Sequence, residues 1–150
     1  MTVDGLDATE VAIRMLKRIG ARRHCPILLG GVTFAGFNMI DPHILQRTFH
    51  VPVIVVIGSR PDNRSVKRAL VRHFEDWRAR WRIIRSLGPL HRLRTIRSEN
   101  PIYYEMFGCT FSEARRILKT WAFVSRMPEP LRVASIVAHG LFPSKPVTQA

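Results

Sequence analysis

Acid, lysine and cysteine are scarce in these 150 residues, and each shortage excludes something. The chain has 11 Asp and Glu against 24 Lys and Arg, so its charge balance favours anionic partners. Lysine stands only at positions 17, 67, 119 and 145, so the basic character is almost entirely arginine. The two cysteines, Cys25 and Cys109, have no zinc or redox spacing and read as small apolar residues rather than ligands. No apolar run approaches the roughly 18 residues that a membrane helix needs. The opening MTVDGLDATE is polar and acidic, unlike a signal peptide. These absences predict a cytoplasmic protein with reduced thiols and no membrane partner. There is no internal repeat and no interdomain linker, so one domain is expected over residues 1–142, followed by a flexible tail at 143–150.

What is present is positive charge, and it is unevenly spread. The formal net charge is +13, with an isoelectric point near 11.4 and a mean hydropathy of −0.02. Residues 60–97 hold twelve basic groups and three acids, 12 − 3 = +9 of that total. Such a focus attracts polyanions, of which nucleic acid, DNA or RNA, is the commonest. The competing reading is a solvated helix face in an arginine-rich composition.

Periodicity divides the chain into alternating elements. Asp7 and Glu10 in DATE make a capping-box-like start for a helix carrying Val11, Ala12, Met15, Leu16 and Ile19, stopped by Gly20. Pro26–Leu29 reads as a short central strand. Asp41-Pro42 reads as the cap and first residue of a helix to about Phe49. Val53–Ile57 is β-branched throughout and predicts a strand buried on both faces. A helical stretch in one or two pieces follows from Ser65 to Leu87, with an edge strand at Leu90–Ile96 and another strand at Ile102–Phe107. Thr110 and Glu113 cap a helix whose Ala114, Ile117, Leu118, Trp121 and Val124 face the core. Pro130 opens a last apolar helix. The order implies an α/β fold, three-layered, with a mainly parallel central sheet.

The candidate chemistry is thin. Gly30, Gly31 and Gly36 fit neither standard phosphate loop. Strand ends in such a sheet gather ligands, which puts Thr33, Asn38, Asp41, Ser59, Arg60 and Asp62 on one rim. Among the acids, Asp7, Glu10, Asp41 and Glu113 are taken by helix starts, and Glu75 and Asp76 by an exposed helical face. Asp4, Glu105 and Glu129 are left without a structural role. No pair has the tight spacing of a divalent-metal site. The six histidines are scattered, with His139 the one expected to be buried. Glu129 and Arg132 read as an orienting pair at a helix start that also borders a site.

Five stretches, VDGLDATE, LLGGVTFAGFNMID, PVIVVIGSRPD, ALVRHFEDWRARW and MPEPLRVASIVAHGL, together resemble the archaeal endonuclease dU family. That family is similar to endonuclease V and has an RNase H-like α/β fold. The resemblance implies a Mg²⁺- or Mn²⁺-dependent endonuclease of deaminated or damaged DNA, with Asp4 and Asp7 as the remaining candidates for catalytic and metal-binding acids. Family members carry a further N-terminal strand segment with an Asp-Asp-Gly motif, and many have aspartate where this chain has Gly30. Both departures imply reduced catalysis. The expectation is therefore a nucleic-acid-binding relative that uses Asn38, Arg60, Lys67, Arg68, Arg78, Arg82 and Arg85, with Gly36, Asp41, Glu129 and Arg132 on the site rim. The alternative is a non-enzymatic binding or assembly protein, since a sheet lacking a strand exposes an edge that invites a homodimer.

Overall fold

The computed structural model describes residues 1–20 and 25–141. His24 and the expected tail at 143–150 lie outside the described residues. In chain order the first elements are α1 (Ala8–Arg18), β1 (Ile27–Leu29), β2 (Thr33–Phe34), β3 (Asn38–Met39), α2 (Pro42–Phe49) and β4 (Val53–Ile57). They are followed by α3 (Asn63–His73), α4 (Trp77–Ser86), β5 (His91–Leu93), β6 (Ile102–Phe107), α5 (Phe111–Trp121) and α6 (Glu129–Leu141).

Four strands form one sheet in the order β1-β4-β6-β5, and β2 and β3 make a separate hairpin. The β1–β4 pairing is parallel, as the helix–strand alternation predicts. After β4 the chain crosses through α3 and α4 to β5, which runs in the same direction but one place further out. Strand β6 then turns back into the gap and pairs antiparallel with both neighbours. Three of the four strands thus share a direction, and the sheet is mixed because β6 opposes them. The α/β class and three layers stand. One reading is corrected: β1 lies at an edge rather than the centre, paired among the described residues with β4 alone.

The sheet separates two cores. On one face, Leu29, Val53, Val55 and Phe107 pack against Ala8 and Ala12 of α1 and Leu45 of α2. On the other, Ile54, Val56, Ile102 and Tyr104 pack against Ala114 and Leu118 of α5, with Leu131 of α6 at the margin. The alternation along β4 feeds both cores, so its β-branched run is buried on both faces as read.

Local start signals held where the chemistry was local. Asp41 accepts from the His43 and Ile44 amides, and Thr110 and Glu113 form a complete capping box. The 65–87 stretch breaks in two at Phe74, whose extended backbone ends α3. Three expectations fail. Asp7 caps nothing with its side chain. Trp121 and Val124 are exposed rather than buried, because α5 stops at Trp121. No residue of α6 is buried, His139 included, so Val133, Ile136 and Val137 face outward.

Glu105, one of the three acids without a structural role in the sequence, lies buried on central strand β6, opposite Val55. Burial pushes its carboxyl up to about 7. Below the ordinary value of 4.5 the folded and unfolded chains are both protonated. Between there and about pH 7 stability falls as pH rises, because the unfolded chain releases its proton first. Glu105→Gln keeps the shape without the charge. It is expected to raise Tm by several degrees at about pH 8 and to leave it unchanged near pH 4, in thermal melts. An equal gain at both pH values would show that ionisation is not the cause.

Candidate nucleic-acid interface

The glycine-rich loop becomes the β2–β3 hairpin, and its tip requires glycine. Ala35 and Gly36 both have positive φ, 45° and 81°. A side chain at Gly36 would also collide with the Asp4 carboxylate. That carboxylate accepts from the Phe37 amide at 2.7 Å, and the Asp4 amide donates to the Ala35 carbonyl at 2.9 Å. The N-terminal arm is thereby stitched to the hairpin.

Asn38 completes the stitch. It is wholly buried, and its Oδ1 accepts from the Ala8 amide at 2.9 Å. Its Nδ2 donates to the Thr2 carbonyl at 2.8 Å and to the Asp7 carboxylate at 2.5 Å. The cap of α1 thus comes from a side chain 30 residues away. Asp7 accepts from the Thr2 amide at 3.0 Å, and these bonds, the Thr2 amide first and the Asn38 amide second, hold its carboxyl below the usual range. Asn38 was expected to touch nucleic acid, but in this position it has no free polar atom and no exposure.

The group that sequence reasoning missed is Arg80, only 3% exposed. Its Nε and one terminal nitrogen bind Asp76 at 2.8 and 2.9 Å, a two-pronged pair four residues apart on the chain. The terminal nitrogens also donate to the carbonyls of Asp4 (2.7 Å), Phe37 (2.7 Å) and Gly5 (3.1 Å). The guanidinium lies 4.3 Å from the Phe74 ring centre. Asp76, half-exposed on the helical face, is the partner of this group, and the hydrogen bonds from Arg80 lower its pKa. The i, i+4 spacing was the visible signal, though a surface pair has the same spacing.

The remaining basic residues of the hairpin of helices face outward. Asp62 starts α3 by accepting from the Arg64 and Ser65 amides, so it serves as a cap rather than a rim ligand. Arg64, Lys67, Arg68 and Arg72 line one groove of about 610 Å³ on α3. Lys67, Trp77, Arg78, Trp81, Arg82 and Arg85 line a second of about 520 Å³ between α3 and α4. Lys67 belongs to both. Arg82 also borders a third groove, with Asp41, His43 and Arg47. The structure therefore brings together Lys67, Arg68, Arg78, Arg82 and Arg85, while Arg60 is exposed but lines none of these grooves. Glu129 and Arg132 bind each other at 2.8 and 2.5 Å at the start of α6, the orienting contact the sequence suggested. Each holds the other's charged form: Glu129 titrates lower and Arg132 higher than usual.

The arrangement does not fit a divalent cation. Both oxygens of Asp7, and Oδ1 of Asp4, are engaged by amide and hydroxyl donors. Among the described residues no three His, Cys, Asp or Glu side chains converge, whereas Mg²⁺ and Mn²⁺ sites gather carboxylates and waters. At Gly30 a Cβ would meet only Leu131, at 3.9 Å. Space for a Cβ exists at Gly30, but glycine supplies no carboxylate.

Fold and surface define a small mixed α/β domain with a cationic helical hairpin beside its sheet. The chain belongs to the endonuclease dU family, whose sequence model matches residues 1–142. It is 40% identical over 144 residues to a UPF0215 protein of Methanosarcina mazei, covering 94% of this chain and 72% of that protein. A UPF0215 protein of Methanothermobacter thermautotrophicus is 41% identical over 143 residues, covering 93% and 67%. The crystal structure of a protein of unknown function from Archaeoglobus fulgidus matches with a TM-score of 0.82 at 32% identity, over 96% of this chain and 80% of that one. The family resemblance and the α/β fold stand on these likenesses.

Removing Arg80 leaves the carbonyls of Asp4, Gly5 and Phe37 without their donor and Asp76, with 37% of its side chain exposed, without its cation, at a cost of about 1–3 kcal/mol. Arg80→Ala is expected to lower stability on that scale in urea titration and to speed hydrogen exchange at the Asp4 and Phe37 amides. Unchanged protection of the arm would show that Arg80 does not hold it.

Proposed function

We propose that this chain is a nucleic-acid-binding member of the endonuclease dU family that holds the phosphate backbone on α3 and α4, with little or no cleavage of its own. One observation carries the reading: seven basic side chains from two adjoining helices line two grooves that share Lys67 and contain no acid. Phosphates neutralised there release counterions, so affinity falls steeply with salt. Arg60, exposed just ahead of α3, extends the positive surface toward the strand ends. The family name supports a hydrolytic alternative, with Mg²⁺ or Mn²⁺ as cofactor and Asp4 and Asp7 as the acids. The bonds already made by those acids favour binding over catalysis.

One experiment addresses both. Arg78→Glu with Arg82→Glu is expected to weaken binding at least about tenfold and to flatten the salt dependence by about two in log–log slope. The same protein with Mg²⁺ or Mn²⁺ is expected to leave deoxyuridine- and inosine-containing DNA intact. Metal-dependent cleavage lost in Asp4→Ala would establish the hydrolytic reading instead.

The open edge supports a second property, assembly with another copy. Strand β1 borders an apolar groove of about 480 Å³ with Met15 and Leu16 of α1 on one side and Leu131 and Ala134 of α6 on the other. Exposed edges pair with edges, and a two-fold axis would join two β1 strands antiparallel. Light scattering at micromolar concentration is expected to give twice the chain mass; a monomer mass would refute the pairing. No helix among the described residues is long and apolar enough to cross a membrane.

A further inference from the structure

We infer that the groove between α3 and α4 takes single-stranded nucleic acid, stacking unpaired bases on Trp81 and Trp77 while Lys67, Arg78, Arg82 and Arg85 hold the phosphates. This rests on the nucleic-acid reading above and narrows it to one strandedness and one mode of contact.

The sequence of α4, WRARWRIIRS, decides which side chains share a face. At about 100° per residue, Trp77, Trp81, Arg85, Arg78 and Arg82 fall in that order within one arc of roughly 140°. Arg80 lies about 60° outside that arc on the Trp77 side, beyond Ile84, and is the one arginine of α4 turned inward. Its bonds to the Asp4, Gly5 and Phe37 carbonyls fix the roll of the helix and keep the indole–arginine arc toward the groove. Both indoles are half-buried, so each leaves part of its surface to the groove.

The indoles already attract cations. The Lys67 ammonium lies 5.6 Å from the Trp81 ring centre, and the Arg78 guanidinium 4.8 Å from that of Trp77. A base sliding onto either indole meets a planar π surface, and the displaced cation is left beside the phosphate that the base brings. Aromatic platforms in a positive groove hold single strands in a sequence-tolerant way, because every base has a π face. A duplex keeps those faces closed in its own stack. The arginines of the groove could equally read guanine edges in a duplex. The two indoles are what suit unpaired bases more than the grooves of a double helix.

The test uses the whole chain and labelled probes of about 15 nucleotides: oligo-dT, oligo-U and a dA·dT duplex of the same length. Anisotropy is expected to show at least about fivefold tighter binding of single strands than of the duplex at moderate salt. The two single-stranded arms separate DNA from RNA. In a Trp77→Phe, Trp121→Phe background, the fluorescence of Trp81 is expected to quench on binding oligo-dT. Trp81→Ala is expected to lose at least about fivefold on the single strand and little on the duplex, with Trp81→Phe recovering most of the loss. Circular dichroism confirms that each variant is folded. Equal or tighter binding of the duplex overturns the inference, as does unchanged affinity in Trp81→Ala while Arg78→Glu with Arg82→Glu still weakens binding. In that last case phosphate binding survives and only stacking fails. Absence of binding to all three probes defeats the nucleic-acid reading as well.

Discussion

A single buried guanidinium holds the N-terminal arm, the β2–β3 hairpin and α4 in one place. Isolated, a charge so thoroughly removed from water would cost several kcal/mol. Arg80 offsets that cost with a carboxylate gripped at two points and three carbonyls drawn from chain positions 4, 5 and 37. Two of those carbonyls belong to the arm, where Val3 and Leu6 are exposed, and the third to the hairpin, whose Met39 and Ile40 are buried in the core. Asn38 works in the same region with a different device, using one amide to close the start of α1 and the end of the arm together. The polar groups that looked like a site on paper are therefore mostly fasteners.

This has a bearing on what the chain does. A metal-dependent hydrolase needs carboxylates whose lone pairs point at the cation, and the acids nearest the rim point at backbone amides instead. The positive face needs no such convergence. It requires only that arginines remain in solvent on a rigid support, and α3 and α4 supply that support by packing Leu70 inward while leaving most of their charge outward. Membership in the endonuclease dU family and a binding role are compatible, because fold fixes the frame and side chains decide the chemistry.

Much of the fold was legible because its signals were local. The β-branched run of β4, the Asp-Pro start of α2, and the Thr110–Glu113 box each contain their own explanation within a few residues. The break before Asp76 was half visible. What was not legible depended on distance. Nothing near Ala8 announces that its cap is Asn38, and Arg80 is one of twelve basic groups in its region with no local mark of burial. The edge position of β1 and the reversed direction of β6 follow from where β5 lands after the α3–α4 crossover, which no window of sequence contains. Of the candidate site, the basic residues of the two helices were readable as charge. The part played by Trp77 and Trp81 carries no such mark, since an indole at helical spacing ordinarily packs into a core.

The three carbonyl bonds of Arg80 also determine what α4 is mechanically. A helix held so firmly along its inner side is not free to roll or lift. Whatever arrives on its outer side meets directions set in advance, and the adjustment falls to the newcomer and to the long arginine stems. The charged hairpin is in that sense an anvil rather than a clamp: it receives a shape without closing on it.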